Sequence, residues 1–303
     1  MKKIITCIIL CLCFADVYAQ QDAQYTQYMF NGLALNPAYA GSRDAISANL
    51  IYRSQWVNMD GSPKTFSASL HSPVGDNNGL GLMIESDKIG VHNRFSAYGS
   101  YAYRISVGEE SRLALGVQAG ILSYRSDWTQ VPSIKDPTDP NFTGEESKLL
   151  PNFGLGIYYY TNNFYVGASV PHLLNSSLDA VDALSKYERH YFLTSGVVLD
   201  ITENVKIKPS ILIKSIPSFA PISADLNLSF YIKEAFSIGA SYRIGDALAF
   251  LLEYQFKNGL RLGYAYDYNL SALNSYNSGS HEIMVGWDLT GPKPEKILSP
   301  RFF

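Results

Sequence analysis

Residues 223–232, SADLNLSFYI, alternate without a break. Ala224, Leu226, Leu228, Phe230 and Ile232 fall on one side of an extended chain, and Asp225, Asn227, Ser229 and Tyr231 on the other. The pattern recurs in LRLGYAYDYN, where Leu260, Leu262, Tyr264, Tyr266 and Tyr268 oppose Arg261, Gly263, Ala265, Asp267 and Asn269. It recurs again in RLALGVQAGI, with Leu113, Leu115, Val117, Ala119 and Ile121 opposite Ala114, Gly116, Gln118 and Gly120. A period of two excludes a helix for these stretches. Strands about ten residues long, with one apolar face and one small or polar face, suit a transmembrane barrel whose outside meets lipid and whose inside meets water. A soluble sandwich would turn the apolar face inward, and the period alone accommodates both.

The number and connection of the strands separate the two. Strands are expected over 46–54, 64–72, 79–87, 94–105, 111–125, 152–161, 163–170, 190–200, 204–214, 221–232, 235–244, 246–257, 259–269 and 280–289. The total is even, as single-chain bacterial barrels require. After every second strand comes a tight turn such as GDNN, GEE, NN, TEN, KE or KN, while the connections after the first, fifth, seventh and thirteenth strands are longer. Residues 244–246 make one short connection on the long side. Outer-membrane barrels place short turns in the periplasm and long loops outside, so both barrel termini are expected in the periplasm. The fold class expected is therefore all-β, an up-and-down antiparallel transmembrane barrel of about 14 strands. Tyr and Phe at strand ends, as in IYYYTNNFYV, suit an interfacial girdle, with ordinary cross-strand packing the alternative for several of them. Trp56, after the first strand, reads as an interfacial anchor.

The first residues point to export. Lys2-Lys3 precede the apolar run 4–14, and Val17-Tyr18-Ala19 offers a small-residue cleavage site, so residues 1–19 are expected to be a signal peptide. Cys7, Cys11 and Cys13 all lie within it, which leaves the mature chain without a disulfide or thiolate. Loss of Lys2, Lys3 and Asp16 moves the formal charge from −3 to −4 with no long run of either sign, which argues against a nucleic-acid partner. Beyond Ala19 no apolar run approaches the roughly 18 residues of a membrane-spanning helix. Strands must do any crossing.

No catalytic motif stands out, no cofactor is expected, and the chain is read as a non-enzyme. His71, His92, His172, His190 and His281 lack a zinc-like spacing, and the HEI at 281–283 reads as the start of the last strand. Charges in the parity of Gly and Ser are more informative. Arg53, Glu85, Asp87, Arg104, Asp225, Arg243, Glu253, Arg261 and Asp267 are candidate lumen residues, either bracing the barrel as an ion-pair network or lining a channel or peptide-docking surface.

Ahead of the first strand, QYMFNGLALNPAYAG is apolar and aromatic but broken by Gly32, Asn36-Pro37 and Gly41. Its turns would leave backbone groups unpaired in lipid, so it is expected to fold inside the lumen or at the periplasmic mouth. Phe30, Leu35, Asn36, Pro37 and Gly41 are the candidate plug and turn residues, and the alternative is an apolar lead-in without a gating role. The long connections after the fifth and seventh strands are expected to form the external docking surface, with Asp136, Asp139, Glu145 and Glu146 in the acidic stretch DPTDPNFTGEES.

QYMFNGLALNPAYAGSRDA, YRSQWVNMDGSPKTFSASLHSPV, GLGLMIESDKIG, SYAYRI, LALGVQAGI, FYVGASVPHLL, GASYRIG, LGYAYDYNLSAL and SGSHEIMVGW follow in order from about Gln20 to Trp287. This ordered set resembles the PorP/SprF family of type IX secretion system membrane proteins. The resemblance implies an outer-membrane barrel working in type IX secretion or gliding. Its partner would be a secreted surface adhesin, engaged through that protein's C-terminal domain, or components of the secretion machinery. A solute channel similar to the long-chain fatty acid transporters, which share an N-terminal NPA hatch, is the alternative. The expected organisation is a signal peptide (1–19), a periplasmic or lumen plug segment (20–45), the barrel (46–289) and a periplasmic tail (290–303). That tail departs from barrels that end on an aromatic residue of the final strand.

Overall fold

The computed structural model describes residues 23–130, 144–177, 186–217 and 220–289. The expected signal peptide, the acids Asp136 and Asp139 and the C-terminal tail lie outside them.

Fourteen antiparallel strands close on themselves. They are β1 (Ile46–Ser54), β2 (Lys64–Val74), β3 (Asn78–Ile89), β4 (His92–Gly108), β5 (Ser111–Asp127), β6 (Glu145–Thr161), β7 (Phe164–Val170), β8 (Tyr191–Val197, continued by Leu199–Thr202), β9 (Val205–Ile216), β10 (Ala220–Ile232), β11 (Phe236–Arg243), β12 (Ala247–Gln255), β13 (Leu260–Asn269) and β14 (Ser280–Leu289). Each pairs with its neighbours in sequence, and β1 pairs with β14, Ile46 opposite Leu289 and Arg53 opposite Glu282, to close the ring. β8 is interrupted at Val198, whose N–H turns aside to the carbonyl of Asn163. Closure matters because it removes sheet edges, which lipid cannot hydrogen-bond.

The wall is inside-out relative to a soluble protein. Along β10, Leu226 is 46% exposed while the adjacent Asn227 is 5% exposed. The same reversal runs along β13, where Leu262, Tyr264 and Tyr268 face out and Arg261, Ala265, Asp267 and Asn269 are buried. An apolar outside over a polar, filled inside is stable only where the solvent outside is lipid. At about 3.3 Å per residue, the nine residues of β1 span roughly 30 Å, enough to cross the apolar layer when tilted. Among the described residues no helix is long and apolar enough to cross a membrane.

Aromatic side chains ring both rims of the outer face. Tyr101, Tyr103, Phe164, Phe236, Tyr254 and Trp287 lie toward the short-turn end, and Tyr52, Phe66, Phe95, Tyr191, Tyr242 and Tyr268 toward the other. In IYYYTNNFYV only the outward parity joins this girdle. Tyr158, Tyr160 and Tyr165 are buried in the lumen, since alternate residues of one aromatic run face opposite ways.

Two expectations about connections need correction. At the long-loop end, residues 90–91 make a short connection as well as 244–246, and β9 ends at Ile216 only four positions before β10 begins at Ala220. β6 starts at Glu145 rather than at 152, in register with β5 as far as Asp127 opposite Glu145. Glu145 and Glu146 therefore stand on a strand rather than in a loop.

A lumen filled by the segment ahead of the first strand

Three single 3-10 turns, Tyr28–Phe30, Gly32–Ala34 and Pro37–Tyr39, carry the chain toward β1 through the inside of the barrel. The sequence dictates this broken path. Asn36 caps the third turn, its Oδ1 accepting from the Ala38 N–H at 2.9 Å, and Pro37 supplies the first residue of that turn. Gly41, at a φ of +74°, redirects the chain where an L side chain would be strained.

The segment is anchored around the whole wall. At the end of the barrel near Arg53, the backbone N–H groups of Thr26 and Gln27 donate to the two carboxylate oxygens of Glu282, both at 2.8 Å, and Thr26 Oγ1 donates to Asp267 at 2.7 Å. Farther along, Tyr25 donates to Glu85, Ser69 Oγ donates to Asn31 Oδ1 at 2.8 Å, and Asn227 Nδ2 donates to the Tyr28 hydroxyl at 2.5 Å. Asn36 Nδ2 donates to the carbonyl of Ile157 at 2.9 Å, and Ser169 Oγ donates to the carbonyl of Leu35 at 2.6 Å. At the opposite end the Gly41 N–H donates to His71 Nδ1 at 3.2 Å, its carbonyl accepts from Arg104 at 2.7 Å, and Arg43 pairs with Asp288 at 2.8 Å. Residues 26 to 43 thus traverse the lumen from the long-loop mouth to the short-turn mouth.

Small inward residues make room for this path. A Cβ on Gly116 would overlap the backbone of Ala38, one on Gly156 would overlap Asn36 Oδ1, and one on Gly79 would overlap the Ala40 carbonyl. Phe30 packs with Met29, Ile51, Leu251, Ala265 and Met284, while Leu33 and Tyr39 pack with Met83, Tyr158 and Tyr160. Among the described residues, three cavities of about 30 to 40 Å³, each with room for one or two waters, lie between segment and wall.

Of the nine candidate lumen charges all are buried except the half-buried Glu85, and they fall into two belts. Toward the long-loop end Arg53 pairs with Asp267 at 2.8 Å and Glu282 at 3.2 Å, Arg243 with Asp225 at 3.2 Å, and Arg94 with Glu85 at 2.9 Å. Asp87 accepts from Thr65 Oγ1 at 2.6 Å, with Arg94 4.0 Å away. Toward the short-turn end Arg104 pairs with Asp44 at 2.7 Å, and Arg261 lies between Asp288 at 3.2 Å and Glu253 at 3.5 Å. The apolar layer around Phe30 separates the belts. Glu145 pairs with Arg125 at 2.5 Å on the exposed tip of the β5–β6 hairpin, far from both.

The key residue missed in the sequence is Glu282. The alternation Glu282, Met284, Gly286, Asp288 against Ile283, Val285, Trp287, Leu289 placed it in the lumen, and reading HEI as a strand start hid that signal. Arg43 and Asp44 precede β1, where no strand period marks their direction. Among the described residues no His, Cys, Asp or Glu trio is placed to hold a metal ion.

Among solved structures, the toluene transporter TbuX of Ralstonia pickettii is 12% identical over 88% of this chain and 93% of its own, with a TM-score of 0.50. The Acinetobacter baumannii outer membrane protein Omp33 is 8% identical over 82% and 100%, at 0.49. A Pseudomonas aeruginosa FadL homologue is 10% identical over 86% and 93%, at 0.48. At these identities the likeness to TbuX shows the barrel fold alone. A comparison with curated proteins gives no match. The family model for the type IX secretion system membrane protein PorP/SprF matches residues 17–287, nearly the whole barrel and the segment inside it. The chain is a member of the PorP/SprF family of type IX secretion system membrane proteins.

Proposed function

We propose that this barrel sits in the outer membrane as a closed-lumen partner of type IX secretion, assisting export of a secreted surface protein and holding that protein at the cell surface through its C-terminal domain. The observation that supports this reading over a solute channel is the filled lumen. Residues 26–43 are tied to strands around the circumference, and cavities of about 30 to 40 Å³ lie beside them among the described residues. A conduit for solutes needs a continuous polar path or a loosely held hatch. Here the hatch would have to break buried charge-assisted bonds at both ends. On this reading the protein works through its surfaces and performs no catalysis. Residues 1–19 direct export, the long connections face outward, and both ends of the barrel wall face the periplasm.

The test is deletion of the gene, followed by quantitative mass spectrometry of surface and medium proteins against the parent strain. Loss of one large surface protein from the cell is the expected result. Loss of many secreted proteins would instead make the barrel a part of the core machinery. An unchanged secretome would overturn the reading and favour solute transport.

A further inference from the structure

β1 begins at the short-turn mouth, yet the segment leading into it enters the lumen from the opposite one. Thr26 is bound at the height of Arg53, Asp267 and Glu282, and Arg43 at the height of Asp288. Ala23 stands at the same end as Thr26. It lines a cavity with Phe192, the second residue of β8, and with Lys214 and Ser223, which pair with each other close to where β9 gives way to β10.

Ala23 is four positions beyond Ala19, the last residue of the expected signal peptide. The residues between, 20–22, extend over at most about 10 Å. The other mouth is farther away. From Lys214 to Val205, at the opposite end of β9, the strand runs roughly 30 Å, which at a tilt of about 45° is about 20 Å along the barrel axis. Whatever path residues 20–22 take, the first residue after the cut therefore stays at the long-loop mouth.

A signal peptide still held in the inner membrane would require the chain to pass through the lumen twice, up to Ala23 and back down from Thr26 to Arg43. The lumen takes one passage. The segment reaches β14 through Gln27, β10 through Tyr28, β2 through Asn31 and β6 through Asn36, so it fills the width of the barrel. A single Cβ added at Gly79, Gly116 or Gly156 would already overlap residues 36–40. A second extended chain needs about 5 Å of clear width along the whole path.

We propose that the mature N-terminus of this barrel lies at the cell surface, so that the chain crosses the outer membrane once inside its own wall before β1, and that the lumen fills only after the signal peptide has been removed. The end of the segment that is free to leave the lumen is then the outer one, because the other continues into β1. This inference rests on the reading above in which residues 1–19 direct export and the long connections face outward.

Cys7, Cys11 and Cys13 all leave with the signal peptide, so single-cysteine variants of the mature chain report position directly. Gln21→Cys is compared with Asn58→Cys, at an exposed position after β1, and with Glu110→Cys, at an exposed position in the turn after β4. Each is produced as the full chain from the chromosomal locus and checked for assembly by the heat-dependent gel shift of folded barrels. A membrane-impermeant maleimide is applied before and after the outer membrane is permeabilised. The expected result is that Gln21→Cys labels on intact cells as fully as Asn58→Cys, while Glu110→Cys labels only after permeabilisation.

Gln21→Cys behaving like Glu110→Cys would overturn the inference and leave the outward reading standing. Glu110→Cys open and Asn58→Cys hidden on intact cells would overturn that reading and the inference with it. A signal peptide retained in the assembled barrel, read by mass spectrometry of the purified chain, would overturn the order of events. If Gln21→Cys is shielded under both conditions, an epitope flanked by Gly-Ser and inserted between Gln21 and Asp22 decides. Antibody binding on intact cells supports the inference, and binding only after permeabilisation overturns it.

Discussion

At the scale of single residues, Glu282 ties the segment inside the lumen to the wall. Its carboxylate receives the Thr26 and Gln27 N–H groups and the Arg53 guanidinium, all buried. Removing one member of such a group strands the others in a low-dielectric site, which costs about 3–5 kcal/mol. Glu282→Ala should therefore lower the unfolding temperature of the purified barrel markedly, read by the heat-dependent gel shift, whereas Ile283→Ala, facing lipid on the same strand, should shift it little. Equal effects would show that the charged belts do not brace the fold. The alternation in SHEIMVGWDL already placed Glu282 inward. Its partners could not be read, because Thr26 and Arg53 lie far away in the chain and carry no mark of facing it.

Among the elements, the segment 26–43 depends on the wall more than on itself. Its turns are too short to persist alone, since a single turn forms one or two bonds against the cost of ordering its residues. Inward glycines admit it. Gly116→Val would drive a side chain into the backbone of Ala38 and should displace the middle of the segment. Phe30→Cys should be unreactive toward a membrane-impermeant maleimide in the otherwise native barrel and become labelled when Gly116→Val is added. Free labelling of Phe30→Cys without the second change would remove the plug reading. The broken, apolar character of this stretch was legible from Gly32, Asn36-Pro37 and Gly41. Its direction of travel, with Thr26 at the long-loop mouth and Arg43 at the short-turn mouth, was not.

For the molecule as a whole, the filled lumen makes conductance the decisive property. Reconstituted in planar bilayers, the intact barrel should show no steady ion current, and deletion of residues 24–40 should open a current that rises with salt. A steady current through the intact protein would point to a channel. The sequence by itself determined the strands, their number and the face each turns to lipid, because a period of two and a lipid solvent fix those locally, residue by residue. It also determined that the segment ahead of β1 could not lie in the hydrocarbon layer. Tertiary structure alone decided which charges meet, how far the chain threads the lumen, and where the pairing of β6 with β7 ends. Those depend on the register and height of strands far apart in sequence, and closing the ring sets that register by the sum of every pairing at once.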